Sequence, residues 1–314
     1  MTGTAGGAGT TDTAGTAGEA HTDMAGTAGT AGGAGTASAV GGGSRDSGAR
    51  ADCTVDADGR ITFRLPPTTA TRPRLLLRLR PRKGRPETDS RLLDLEPDGP
   101  GHHLSARLET RPFLAEGRWD AYLVPAPDAG PQRLRPGLRD LRALVDGHLH
   151  DRTSPVAVRI PYATKDGFLA LRTWLRTAHA EAGAVDVTDG AITVAARLHG
   201  AELAADAVVQ LRLRGTGTVR TLRPRIDDDG RGFSFSTGTA IGGAADAGGG
   251  ADRVWDAFVR PTADAAPVRV ARLLDDVADR KHVHVYPALP TEGLLLRPYY
   301  TVDNDFSISV SRES

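Results

Sequence analysis

Cysteine, lysine and aromatic residues are scarce in this 314-residue chain, and each scarcity excludes something. The single cysteine, Cys53, cannot form an internal disulfide, and metal sites built on cysteine pairs are ruled out with it. A reducing cytoplasm is the default setting for such a chain. No stretch approaches the roughly 18 consecutive apolar residues of a membrane span. The amino terminus carries no Lys or Arg before Arg45 and no apolar run, so no secretory leader is predicted. Net charge is missing in sum, 39 basic residues balancing 39 acidic ones, so no global field points to nucleic acid or a membrane. The expected protein is therefore soluble and cytoplasmic, at most peripheral to a membrane.

Residues 1–50 consist almost wholly of Gly, Ala, Thr and Ser, and the first aromatic residue of the chain is Phe63. Such a segment cannot bury enough apolar surface to offset its ordering entropy, and a disordered tail is predicted. None of its glycine repeats is followed by Lys-Ser or Lys-Thr, so it is no P-loop.

Beyond the tail the chain repeats itself. Trp119-Asp120-Ala121-Tyr122-Leu123 returns as Trp255-Asp256-Ala257-Phe258-Val259, a shift of about 136. At nearly the same shift Arg133 meets Arg269, Pro161-Tyr162 meets Pro298-Tyr299, and Leu77-Arg78-Leu79-Arg80 meets Leu211-Arg212-Leu213-Arg214. Collinear matches with drifting offsets imply duplication with changes in loop length. Inside each copy the apolar period is two: Ile61, Phe63 and Leu65 alternate with polar residues, as do Phe306, Ile308 and Val310. That is the signature of strands with one buried face. Turn clusters such as Asp56-Ala57-Asp58-Gly59 and Asp227-Asp228-Asp229-Gly230 punctuate them. The predicted fold is all-β, two tandem immunoglobulin-like β-sandwiches of seven to nine strands each, over 51–180 and 181–314. Leu138 to Val145 and Leu273 to Lys281 have helical spacing, and Thr173 to Gly183 reads as the link between copies, with Trp174 near the junction.

Each chemical motif has a plainer reading beside it. Asp303-Asn304-Asp305 has the Asp-x-Asp form that holds a divalent cation and a diphosphate, yet it aligns within Lys165-Asp166-Gly167-Phe168 of the first copy, and a hairpin turn explains it better. His282 and His284, with His148 and His150 near the corresponding place, lack a third metal ligand and read as exposed strand histidines. Cys53 beside Asp52 has no evident base. Asp227 to Asp229 fit calcium less well than an ordinary turn. No Gly-x-Ser-x-Gly elbow exists. No catalytic residue, metal ligand or cofactor is therefore assigned. Arg72, Arg74, Arg78, Arg80, Arg82 and Lys83 form the densest basic stretch and are the candidate polyanion-binding residues, set against a solvated strand edge protected by charge. Without interleaved aromatics, nucleic acid is not expected.

At Gly117 to Leu123, Ile160 to Gly167 and Arg297 to Asn304, the chain resembles accessory β-sandwich regions of high-GC Gram-positive bacteria. Those regions are appended to family 2 glycosyltransferases and to poly(glycerol or ribitol phosphate) transferases of cell-wall polymer synthesis. The resemblance implies a non-catalytic binding or assembly module whose partner is a glycosyltransferase or an anionic wall polymer. It carries no catalytic residue over. A transferase-type enzyme and a structural immunoglobulin-like interaction protein remain the alternatives.

Overall fold

The computed structural model describes residues 48–81, 89–146, 154–188, 190–241 and 253–313. Residues 1–47, which hold nearly all of the expected tail, lie outside the described residues, as do Arg82, Lys83, His148 and His150. The described chain is all-β and sandwich-like. Its first half runs β1 (Arg50–Val55), β2 (Ile61–Leu65), β3 (Arg74–Leu79), β4 (Ser90–Asp94), β5 (Glu96–Asp98), β6 (His103–Leu108), β7 (Gly117–Val124), β8 (Gln132–Arg133), β9 (Arg135–Asp140), β10 (Val156–Ala163) and β11 (Leu169–Arg176). The second half runs β12 (His179–Thr188), β13 (Ala191–His199), β14 (Val208–Leu213), β15 (Val219–Leu222), β16 (Arg225–Ile226), β17 (Gly232–Ser236), β18 (Arg253–Arg260), β19 (Val268–Ala271), β20 (Leu289–Thr291), β21 (Leu294–Tyr300) and β22 (Phe306–Arg312).

The same pairing order recurs in both halves. In the first, one sheet is β5-β6-β2-β1-β9 and the other β10-β11-β7-β3-β4. In the second, β16-β17-β13-β12-β19 matches the first sheet, and β21-β22-β18-β14-β15 matches the other. Register agrees residue by residue: Trp119 faces Leu171 and Leu79, as Trp255 faces Ile308 and Leu213. Both tryptophans are fully buried, each in its own half's core. One difference stands out. The chain after β8 keeps one further bond to β7, from the Leu134 amide to the Ala121 carbonyl at 2.9 Å, and then runs parallel to β1 as β9, whereas β19 is a single strand paired with both β18 and β12. That continuity merges the second half into one 11-stranded sheet.

Several expectations need correction. The segment from Thr173 to Gly183 is no linker: β11 and β12 occupy it, separated only by Thr177 and Ala178. Helical spacing over Leu138 to Val145 yields a single turn, α1 (Arg142–Val145), and Leu273 to Lys281 contains no helix, because its apolar residues dock on the first half instead. Each half has more strand segments than expected, since edges and bends divide them.

Two equivalent hairpin turns show how local sequence sets the fold. Thr164 and Thr301 each receive an N–H from three residues on and donate their own amide to the carbonyl of Phe168 or Asp305. The third turn position needs a left-handed backbone: Gly167 supplies it with φ 75°, and Asn304 supplies it with φ 62°. Asn304 is buried because its side chain works at a distance. Its Oδ1 accepts from the Arg280 amide at 3.1 Å and its Nδ2 donates to the Val277 carbonyl at 2.9 Å, holding the segment after β19 against the turn.

Candidate functional site

Pairing β3 with β7 and β14 with β18 assembles one constellation twice, on the outward face of the corresponding sheet in each half. In the first half, Asp120 sits beside Arg78 across the ladder and accepts hydrogen bonds from Arg80 Nη2 at 2.7 Å and Arg133 Nη2 at 3.2 Å. Arg78 lies over the Tyr122 ring at 5.4 Å. In the second, Asp256 sits beside Arg212 and accepts from Arg214 Nη2 at 2.6 Å and Arg269 Nη2 at 2.8 Å. Arg212 lies over Phe258 at 4.5 Å, with Arg269 on the same ring at 4.8 Å. The second half adds Ser307, whose hydroxyl donates to Asp256 at 2.9 Å, where the first has Ala170.

The electrostatics follow from this geometry. Burial pushes the Asp256 carboxyl upward, but hydrogen bonds from Arg214 and Arg269 outweigh it and hold the group below the usual carboxylate range. Arg80 and Arg214 are raised above the ordinary guanidinium value, chiefly by their bonds to Asp120 and Asp256. In each constellation three arginines accompany one carboxylate, two of them hydrogen-bonded to it and the third paired with it across the strands.

The basic stretch read from sequence is thus divided by the fold. Arg72 is exposed at a left-handed position with φ 57°, while Arg74 and Arg78 are half-buried on β3. Arg80 is committed to Asp120, which is only 9% exposed. Reversing its charge would set a carboxylate against Asp120, so Arg80 is a poor position for a test of surface binding alone.

Asp303 and Asp305 join the two halves. Arg172 bonds Asp303, Arg176 reaches Asp305 at 3.4 Å, and the Trp174 indole N–H donates to the Asp303 carbonyl at 3.3 Å. Arg118 donates to the Val302 carbonyl at 3.4 Å. Burial raises the Asp305 carboxyl above its ordinary value, against the lowering influence of Arg176 and Arg269. Burial likewise lowers the Arg172 guanidinium.

The histidine expectation also needs correction: neither is on a strand, His282 lying in a turn and His284 just after it, and His284 Nε2 is 3.2 Å from Arg280 Nη1. Among the described residues, no three of His, Cys, Asp and Glu stand together as a metal-binding group. Cys53 is buried on β1, and burial pushes its thiol up to about 12. Thiolate is the reactive form, so Cys53 is expected to resist a maleimide at pH 8 in the native protein and to react on unfolding in urea. Rapid labelling of the folded chain would contradict this placement. No helix among the described residues is long and apolar enough to cross a membrane.

No family model matches the chain, and no curated protein matches it. Among solved structures it is similar to the crystal structure of S. aureus TarS, at 14% identity and a TM-score of 0.34, over 50% of this chain and 28% of that one. It is also similar to the crystal structure of S. aureus TarS 217–571, at 11% identity and a TM-score of 0.26, over 60% of this chain and 55% of that one. The chain thus spans less than two thirds of either TarS chain, and the likeness is coarse.

What sequence reasoning missed is the role of the acids. Asp120 and Asp256 were visible only as matched letters after a tryptophan, as were Arg133 and Arg269. Their coincidence in both copies was the available signal, but strand pairing was needed to bring Arg80 beside Asp120.

Proposed function

We propose that this chain is a non-catalytic binding and assembly module acting beside a cell-wall glycopolymer transferase. In this reading, duplicated immunoglobulin-like halves over 51–180 and 181–314 each offer an arginine-bearing face to anionic polymer. The observation that carries it is the twice-built constellation, in which each carboxylate is outnumbered by guanidiniums on an outward sheet face. Guanidinium groups suit phosphate and carboxylate because their N–H groups form a planar fork. The transferase-type reading fits less well, because Asp303 and Asp305 are both engaged by arginines in the contact between halves. The sequence resemblance supports the wall-polymer setting, in the cytoplasm and at most peripheral to the membrane.

The test uses one arginine from each face, Arg78→Gln with Arg212→Gln, which leaves the Asp120 and Asp256 ion pairs in place. Retention of the full chain on immobilised poly(glycerol phosphate) is expected to fall about thirtyfold at low salt, since each of the two basic residues contributes about 1 kcal/mol near an anionic surface. Retention by the parent should also fall as salt rises. Undiminished retention by a folded double variant, or salt-independent retention by the parent, would remove the polyanion reading.

A further inference from the structure

The second half carries a cleft beside the turn between β14 and β15. It has a volume of about 370 Å³ and is lined by Leu213, Arg214, Thr216, Thr218, Arg253 and Val254. The turn between β14 and β15 forms one side. Leu213 donates to the Thr218 carbonyl at 3.0 Å, Thr218 donates its amide to Thr216 Oγ1 at 3.1 Å, and Gly215 takes the left-handed backbone the turn requires, at φ 76°. The opposite side is the start of β18, joined to the turn by the Arg214 amide, which donates to the Val254 carbonyl at 2.8 Å.

Two arginines line this cleft, one from the turn after β14 and one from the start of β18. Arg214 is 50% exposed and is held by Asp256 through Nε and Nη2, which fixes its plane while the same carboxylate is shared with Arg269. Arg253 comes from β18. At the position corresponding to Arg253 the first half has Gly117, where even a Cβ would lie 2.6 Å from Leu79 Cδ1. The first half therefore carries no side chain at that position. Leu213 and Val254 add apolar wall, and the volume exceeds that of a bare oxyanion.

We propose that this cleft is a binding site for an organic phosphate ester, its phosphate held between Arg214 and Arg253 and its carbon skeleton against Leu213 and Val254. Paired guanidiniums match phosphate oxygens with charge-assisted hydrogen bonds. The proposal deepens the reading above by naming the chemical group that the second half takes.

The full chain, labelled with 15N, would be titrated with inorganic phosphate, glycerol 3-phosphate, a short poly(glycerol phosphate) and phosphatidylglycerol vesicles. Amide shifts of Gly215, Gly217 and Thr218 are expected to saturate with glycerol 3-phosphate at least threefold more tightly than with inorganic phosphate. Arg253→Ala should weaken that binding tenfold or more, and Arg253→Lys should restore part of it by returning the charge without the fork. Tighter saturation by the oligomer than by the vesicles would assign the phosphate to a soluble polymer, and the reverse to a lipid headgroup. Shifts confined to the first half, or an affinity unchanged in Arg253→Ala, would overturn the site. Because Arg78 and Arg212 lie outside the cleft, polymer retention lost in their double variant with the phosphate titration intact would separate the two ideas.

Discussion

Replacing Trp174 by alanine is expected to destabilise the chain by about 3–5 kcal/mol, the range for a large buried aromatic whose site cannot collapse. The side chain is 1% exposed although it points away from its own sandwich. It belongs to the first half's buried cluster, which also takes in Ala271, Leu273, Leu274 and Ala278 of the second. Its indole N–H donates to the Asp303 carbonyl, so truncation also removes a hydrogen bond across the contact. Urea unfolding followed by circular dichroism would measure the change. A loss below about 0.5 kcal/mol, the scale of surface substitutions, would mean that the contact between halves contributes little.

Asp256→Ala is expected to cost about 3 kcal/mol, because removing one partner of a largely buried ion pair leaves the others uncompensated. Arg269 is 14% exposed and Ser307 is buried, so neither recovers full hydration when the carboxylate goes. The pH dependence has a definite sign. The folded carboxyl of Asp256 lies below its unfolded value, so its stabilisation is present above about pH 4 and is lost as pH falls through the folded value. Asp305 runs the other way: its raised folded value means that ionisation costs stability as pH rises through it, and protonation in acid relieves that cost. Asp256→Ala should therefore flatten the acid limb of a melting-temperature profile. An unchanged limb would place the acid sensitivity elsewhere.

Strands that bury a single face were legible in the sequence. β2 and β22 follow the alternation of Ile61-Phe63-Leu65 and Phe306-Ile308-Val310, and the matched turns placed Thr164 opposite Thr301. β11 was not legible because both of its faces are covered. Leu169 to Trp174 are buried without a break, the outward Arg172 and Trp174 being covered by the second half. A buried arginine beside a threonine and a tryptophan carries no period, and it read as a link. The Leu273 to Lys281 segment misled for the converse reason. Its apolar residues answer a neighbouring surface rather than a helix face of their own. Of the candidate site, both arginine pairs and their aspartates stood in the matched letters, but sequence distance concealed that residues 40 apart form one contact.

The connection between the halves is two residues long, Thr177 and Ala178, and the Asp303 turn clasps it from the other side. A flexible linker would let the two basic faces sample many mutual distances, diluting one with respect to the other. Here the separation is set by the fold. Under the proposed function, a polymer held at one face would meet the second at an effective concentration governed by its own stiffness and repeat length. Bivalent engagement would favour chains whose charge spacing matches that fixed span, so discrimination among anionic polymers would rest on their length and periodicity as much as on the chemistry of any single charged group.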